Sequence, residues 1–117
     1  MAGLTTHVLD TSEGAPAAGM RVDFSSIDGG TARLIASFRT NADGRTDAPL
    51  AAPAATEAGV FELTFHVGEY FRSRGLVLPE PAFLEQVAVR FGIADPAAHY
   101  HVPLLCSPWS YSTYRGS

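Results

Sequence analysis

His99 and His101 are separated by one residue, so on an extended strand both imidazoles project from one face while Tyr100, Val102 and Leu104 project from the other. Two imidazoles on a single face suit proton transfer near neutral pH. A third, His7, lies in Leu4-Thr5-Thr6-His7-Val8-Leu9, where it shares a face with Thr5 and Leu9. A lone strand histidine is more often a surface group or a satisfied core group than a reactive one. His-x-His is also a metal-ligand spacing, and adding His7 would make a three-histidine set of the kind that holds catalytic zinc. His66 stands at the end of a strand-like run and reads as structural.

Arg45 follows Asn41-Ala-Asp-Gly44, a turn after which a solvated arginine is the ordinary outcome. The chain ends Tyr114-Arg115-Gly116-Ser117, placing a phenol, a guanidinium, a glycine hinge and a hydroxyl together. Terminal segments are usually bland, so this mixture marks the end of the chain as a place to look for function. Cys106 is the only cysteine and cannot form an intrachain disulfide. Its Leu-Leu-Cys-Ser setting predicts a small buried side chain and not a reactive thiol.

The elements that must carry these groups read as strands. Period-two alternation or β-branched and aromatic runs recur at 4–10, 19–26, 32–40, 59–67, 86–94, 99–106 and 109–115, between clusters of Gly, Pro, Asn and Asp. Seven or eight short strands at such spacing indicate an all-β sandwich or barrel. Residues 10–14 and 41–44 predict two hairpin-like corners. Gly68 to Gly75 is the exception, about two helical turns with Tyr70 and Phe71 on the apolar side. Residues 76–82 predict a proline-stiffened crossing loop, and 48–56 a surface loop of small residues. No internal linker divides the chain, and 117 residues suffice for one core, so residues 1–117 are expected to form a single domain.

Composition narrows the functions further. Apolar residues make up 46% and charged residues 17%, a balance that suits neither a disordered chain nor a membrane-spanning one. No apolar run approaches the ~20 residues of a transmembrane helix. With a net charge of -4 and eight basic side chains that are all arginine, a broad phosphate-binding surface is not expected, so neither is a nucleic-acid partner. The start Met1-Ala-Gly-Leu carries no charged-then-apolar leader, and a cytoplasmic location is expected.

Three blocks, Leu4 to Ala17, Asn41 to Asp47 and His99 to Ser117, together resemble the transthyretin-like 5-hydroxyisourate hydrolases over nearly the whole chain, with the terminal Tyr-Arg-Gly-Ser as the most specific mark. The resemblance implies a transthyretin-like (prealbumin-like) β-sandwich of two four-stranded sheets with one short helix, assembled as a homotetramer, a dimer of dimers. It implies that His7, Arg45 and His101 are catalytic, in a metal-independent reaction without a cofactor. It further implies that His7, Arg45, Tyr114, Arg115 and Ser117 bind the substrate in the groove between dimers. An arginine there suits the oxygen-rich edge of an oxidised purine, and a guanidinium near a histidine would keep that imidazole neutral near pH 7. Two other readings stay open: a transthyretin-like carrier of small aromatic ligands, and a zinc-dependent amidohydrolase using the three histidines. The bulk of Tyr114 and the three imidazoles favour chemistry over an open apolar channel.

Overall fold

The strand alternation read from residues 4–10 persists in three dimensions: Leu4, Thr6, Val8 and Asp10 are buried, while Thr5, His7 and Leu9 are half-exposed. A computed structural model describes residues 3–51 and 57–116. In chain order the described elements are β1 (Gly3–Thr5), β2 (Val8–Asp10), β3 (Ala15–Pro16), β4 (Arg21–Asp28), β5 (Thr31–Arg39), β6 (Gly59–Phe65), α1 (Val67–Ser73), β7 (Val87–Ile93), β8 (His99–His101), β9 (Leu104–Cys106) and β10 (Tyr111–Thr113).

Two four-stranded sheets form, in the orders β10-β9-β2-β3 and β5-β4-β6-β7, and β1 pairs with β8 in a short parallel continuation of the first. The expected single strands at 4–10 and 99–106 are thus each divided. Pro103 has no N–H to give the ladder, so regular pairing lapses around it. The halves nevertheless stay in register, because the Val102 N–H donates to the Thr5 carbonyl at 2.9 Å and the Leu104 N–H to the His7 carbonyl at 2.9 Å.

Between the sheets lies a continuous core. Leu4, Val8 and Leu104 come from the first sheet, Val22, Phe24, Leu63, Phe65 and Val87 from the second, and Tyr70 and Phe71 from α1. Phe24 stacks on Phe61 with ring centroids 5.5 Å apart. Cys106 is buried as expected, and burial pushes its thiol up to about 12. The helix starts one residue before Gly68 and ends two before Gly75, with both expected apolar residues inward. His66 immediately precedes it, and its Nε2 meets Asp23 Oδ2 at 2.8 Å, which is the structural role expected.

The corner at residues 10–14 joins β2 to β3 as a hairpin. The one at 41–44 does not connect paired strands; it docks against Val8, as described below. Part of the 48–56 loop also departs from expectation. Leu50 and Ala51 are buried, and Leu50 donates its N–H to the Leu4 carbonyl while Leu4 donates to that of Ala51. Residues 52–56 lie outside the described residues.

Asp10 ties the first sheet to the helix. Its Oδ1 accepts from the Ser12 N–H at 3.0 Å and the Ser12 hydroxyl at 2.6 Å, and its Oδ2 accepts from the Tyr70 hydroxyl at 2.9 Å. Burial and the Asp10 carboxylate both raise the Tyr70 phenol above its ordinary value. Tyr70→Phe leaves one buried carboxylate oxygen without this donor and should cost about 1–3 kcal/mol in urea denaturation. An unchanged stability would mean the bond contributes nothing to holding the helix.

Candidate active site

Arg45 owes its position to the residue before it. Gly44 is buried at φ +73°, and a Cβ there would lie 2.4 Å from the Val8 carbonyl oxygen, so only glycine permits this approach. The Val8 N–H donates to the Gly44 carbonyl at 2.8 Å. Asn41 closes the loop, accepting at its Oδ1 from the N–H groups of Asp43 and Arg45 and giving its own N–H to the Arg45 carbonyl. The Asn-Ala-Asp-Gly turn is therefore a clamp that holds Arg45 beside the segment carrying His7.

On the other side, β1 and β8 pair with Thr5 opposite His101 and Gly3 opposite His99. The expectation that His99 and His101 share a face, with Tyr100 buried on the other, holds. A hollow of about 380 Å³ opens above them, lined by Thr5, Arg45, Thr46, Asp47, His99 and His101 among others. Arg45 and His101, drawn from segments 56 residues apart by their numbers, thus face one space. His7 does not line it, although its imidazole is near enough for its charge to act on His101.

Burial is the larger cause that lowers the His101 pKa below the ordinary imidazole value, and the charges of Arg45, His7 and His99 lower it further. A hydrogen bond in which the Thr5 backbone accepts from the ring pulls weakly the other way. The expected influence of the guanidinium is present, second to desolvation. The outcome is a ring that stays neutral at pH 7 and can accept a proton, beside a planar fork of donors suited to carbonyl oxygens.

The tail is placed along β8. The Gly116 N–H donates to the His101 carbonyl at 2.8 Å, and the Thr113 hydroxyl donates to that of Pro103 at 2.7 Å. Gly116 is a packing residue and not a hinge: a Cβ there would come 2.5 Å from Cδ2 of His101. Arg115 does not enter the hollow. Its guanidinium lies 4.2 Å over the Tyr100 ring and donates to the His99 carbonyl at 3.3 Å. With Ser112 opposite Leu105 and Gly116 opposite His101, Tyr114 falls opposite Pro103, on the His101 side of the sheet. It remains 60% exposed and does not line the hollow. Ser117 lies outside the described residues.

Sequence reasoning passed over Thr5 and Gly44 as contributors to the site, and it placed Gly116 at the site as a hinge. Thr5 was legible only as sharing the face of His7; its contact with His101 depends on a pairing of chain ends that alternation does not reveal. Among the described residues, no group of three His, Cys, Asp or Glu side chains is placed to hold a metal ion.

A sandwich with these sheet orders, parallel pairing of β1 with β8 and of β2 with β9, and an imidazole-guanidinium hollow on that pairing defines a small domain of the transthyretin plan. The chain belongs to the HIUase/Transthyretin family, whose model matches residues 4–116. It is 58% identical over 114 residues to 5-hydroxyisourate hydrolase 2 of Rhizobium meliloti, covering 97% of this chain and 95% of that one. Among solved structures it is similar to (S)-allantoin synthase, with a TM-score of 0.89 and 47% identity over 98% of this chain, which spans 43% of that one. It is also similar to Klebsiella pneumoniae 5-hydroxyisourate hydrolase, at a TM-score of 0.82 and 36% identity over 100% of both chains. Transthyretin from Sparus aurata matches at 0.86 and 28%, covering 99% of this chain and 97% of that one.

By NMR, the His101 ring should titrate below its ordinary value of 6.5. Arg45→Gln removes a positive charge that disfavours protonation, so the His101 midpoint should rise in that variant. An unchanged midpoint would mean the guanidinium does not act on the ring.

Proposed function

We propose that this chain hydrolyses 5-hydroxyisourate, opening its six-membered ring at the acyl-nitrogen bond to give 2-oxo-4-hydroxy-4-carboxy-5-ureidoimidazoline. One water is consumed. Its oxygen adds to the carbonyl carbon as a histidine takes a proton; the carbon-nitrogen bond then breaks, and the departing nitrogen is protonated. His7 and His101 form the proton-handling pair in this reading, and Arg45 orients the substrate and stabilises charge developing on the carbonyl oxygen. The observation that carries it is the convergence of Arg45 and a neutral His101 on one hollow. The names borne by similar proteins over their full length support the substrate.

Residues 1–117 act as a single domain in this reading, in the cytoplasm, within a homotetramer built as a dimer of dimers. The exposed Tyr114 on the His101 side of the sheet supports such an assembly, because an aromatic ring of that area gains from being covered. Covered by a facing subunit, Tyr114, Arg115 and Ser117 would border the groove into which the hollow opens. A carrier role would need a wider apolar channel, whereas the hollow presents an arginine and two histidines.

The test is 5-hydroxyisourate generated from urate by a uricase and followed by ultraviolet absorbance. His7→Asn and His101→Asn should each lower turnover on the order of 10²-fold or more, and His66→Asn much less. Dialysis against a chelator should leave turnover intact. Near-normal turnover in His101→Asn would remove that ring from the mechanism, and loss on chelation restored by zinc would favour the three-histidine reading.

A further inference from the structure

The hydroxyl of Thr5 lies between two imidazoles, 2.8 Å from His101 Nδ1 and 3.3 Å from His99 Nε2. A hydroxyl has one proton to donate and lone pairs with which to accept. It can therefore bridge the two ring nitrogens by accepting from one and donating to the other, or by accepting from both, but it cannot donate to both, so at least one of the two nitrogens carries a proton. If His101 Nδ1 carries the proton, that N–H donates to Thr5 Oγ1 and the hydroxyl donates to a bare His99 Nε2. In the reverse arrangement His99 donates and His101 Nδ1 is bare.

The surroundings of His101 favour the first arrangement. Its Nδ1 edge faces Thr5, and its Cδ2 rests where a side chain on Gly116 would collide. Nε2 is thus the ring nitrogen left free of both neighbours. The Thr5 backbone also acts as an acceptor toward this ring, which favours a proton on it. An unconstrained neutral imidazole in water prefers the opposite form, protonated at Nε2. Which nitrogen is bare is decided by the bond the other one makes.

We infer that Thr5 is a positioning residue: its hydroxyl, shared between His101 and His99, fixes His101 as the Nδ1-protonated tautomer and leaves Nε2 bare to take a proton from water. The inference rests on the hydrolytic reading above and specifies how one of its two imidazoles is prepared. Among the described residues, Arg45, Asp47, His7 and His99 are the charged or titratable groups around that ring.

The full chain, labelled with ¹⁵N-histidine, allows both parts to be read. At pH 8, two-bond proton-nitrogen correlations should show His101 protonated at Nδ1 in the parent. In Thr5→Val, which keeps the side-chain shape, the ring should shift toward the Nε2-protonated form, and kcat should fall about ten-fold or more with a smaller change in KM. Thr5→Ser, which restores the hydroxyl, should recover the parent tautomer and most of kcat. An Nε2-protonated ring in the parent, the same tautomer in Thr5→Val, or a loss of kcat that serine does not rescue would each overturn the inference. A parent inactive on 5-hydroxyisourate would instead remove the hydrolytic reading, and with it the catalytic purpose of Thr5, while the tautomer shift alone would still show whether Thr5 sets the ring.

Discussion

The parallel pairing of β1 with β8, continued by β2 with β9, is the constraint on which the site depends. Thr5 and His7 accept backbone hydrogen bonds from Val102 and Leu104, joining segments at opposite ends of the chain. That register sets Thr5 against His101. Closing so long a loop costs chain entropy, and the pairing persists because Leu4, Val8 and Leu104 on its inner face are fully buried. A slip of one residue would exchange those side chains for Thr5, His7 and Leu105 and turn the imidazoles into the core. The hydrophobic pattern thereby enforces the geometry of the polar face.

Two glycines complete the arrangement by letting backbone come closer than a side chain allows. Gly44 brings the Arg45 loop onto the Val8 carbonyl, and Gly116 lets the tail pass against the His101 ring. Each acts on a functional group one step away. With Arg45 lining the hollow beside the imidazole, burial and charge act together to keep His101 neutral. The donor fork and the proton acceptor are then available at once, before any substrate arrives.

Much of this was legible in the sequence because alternation reports which face a residue occupies. The facing of His7 with Thr5 and of His99 with His101, the inward Tyr70 and Phe71, and the buried Cys106 follow from periodicity and local context. Alternation does not report which strands pair or in what direction, so the Thr5 to His101 contact was hidden. Nor does it show a lapse in pairing at Pro103, where the hydrophobic run continues while the ladder cannot. The glycine in Tyr-Arg-Gly-Ser read as a hinge because composition shows freedom and not the neighbour that uses the space. Arg115 read as a substrate group, yet in one chain its charge is spent on the Tyr100 ring and the His99 carbonyl.

The same sandwich serves transthyretins as well as hydrolases, so function rests on the groups in the hollow and not on the fold. The most direct test of the account is the pH dependence of kcat/KM. If a neutral His101 accepts the proton, the rate should fall on the acid side with a midpoint below 6.5, coinciding with the titration of that ring and of no other. An acid limb at or above 6.5, or one that tracks a different imidazole, would contradict it.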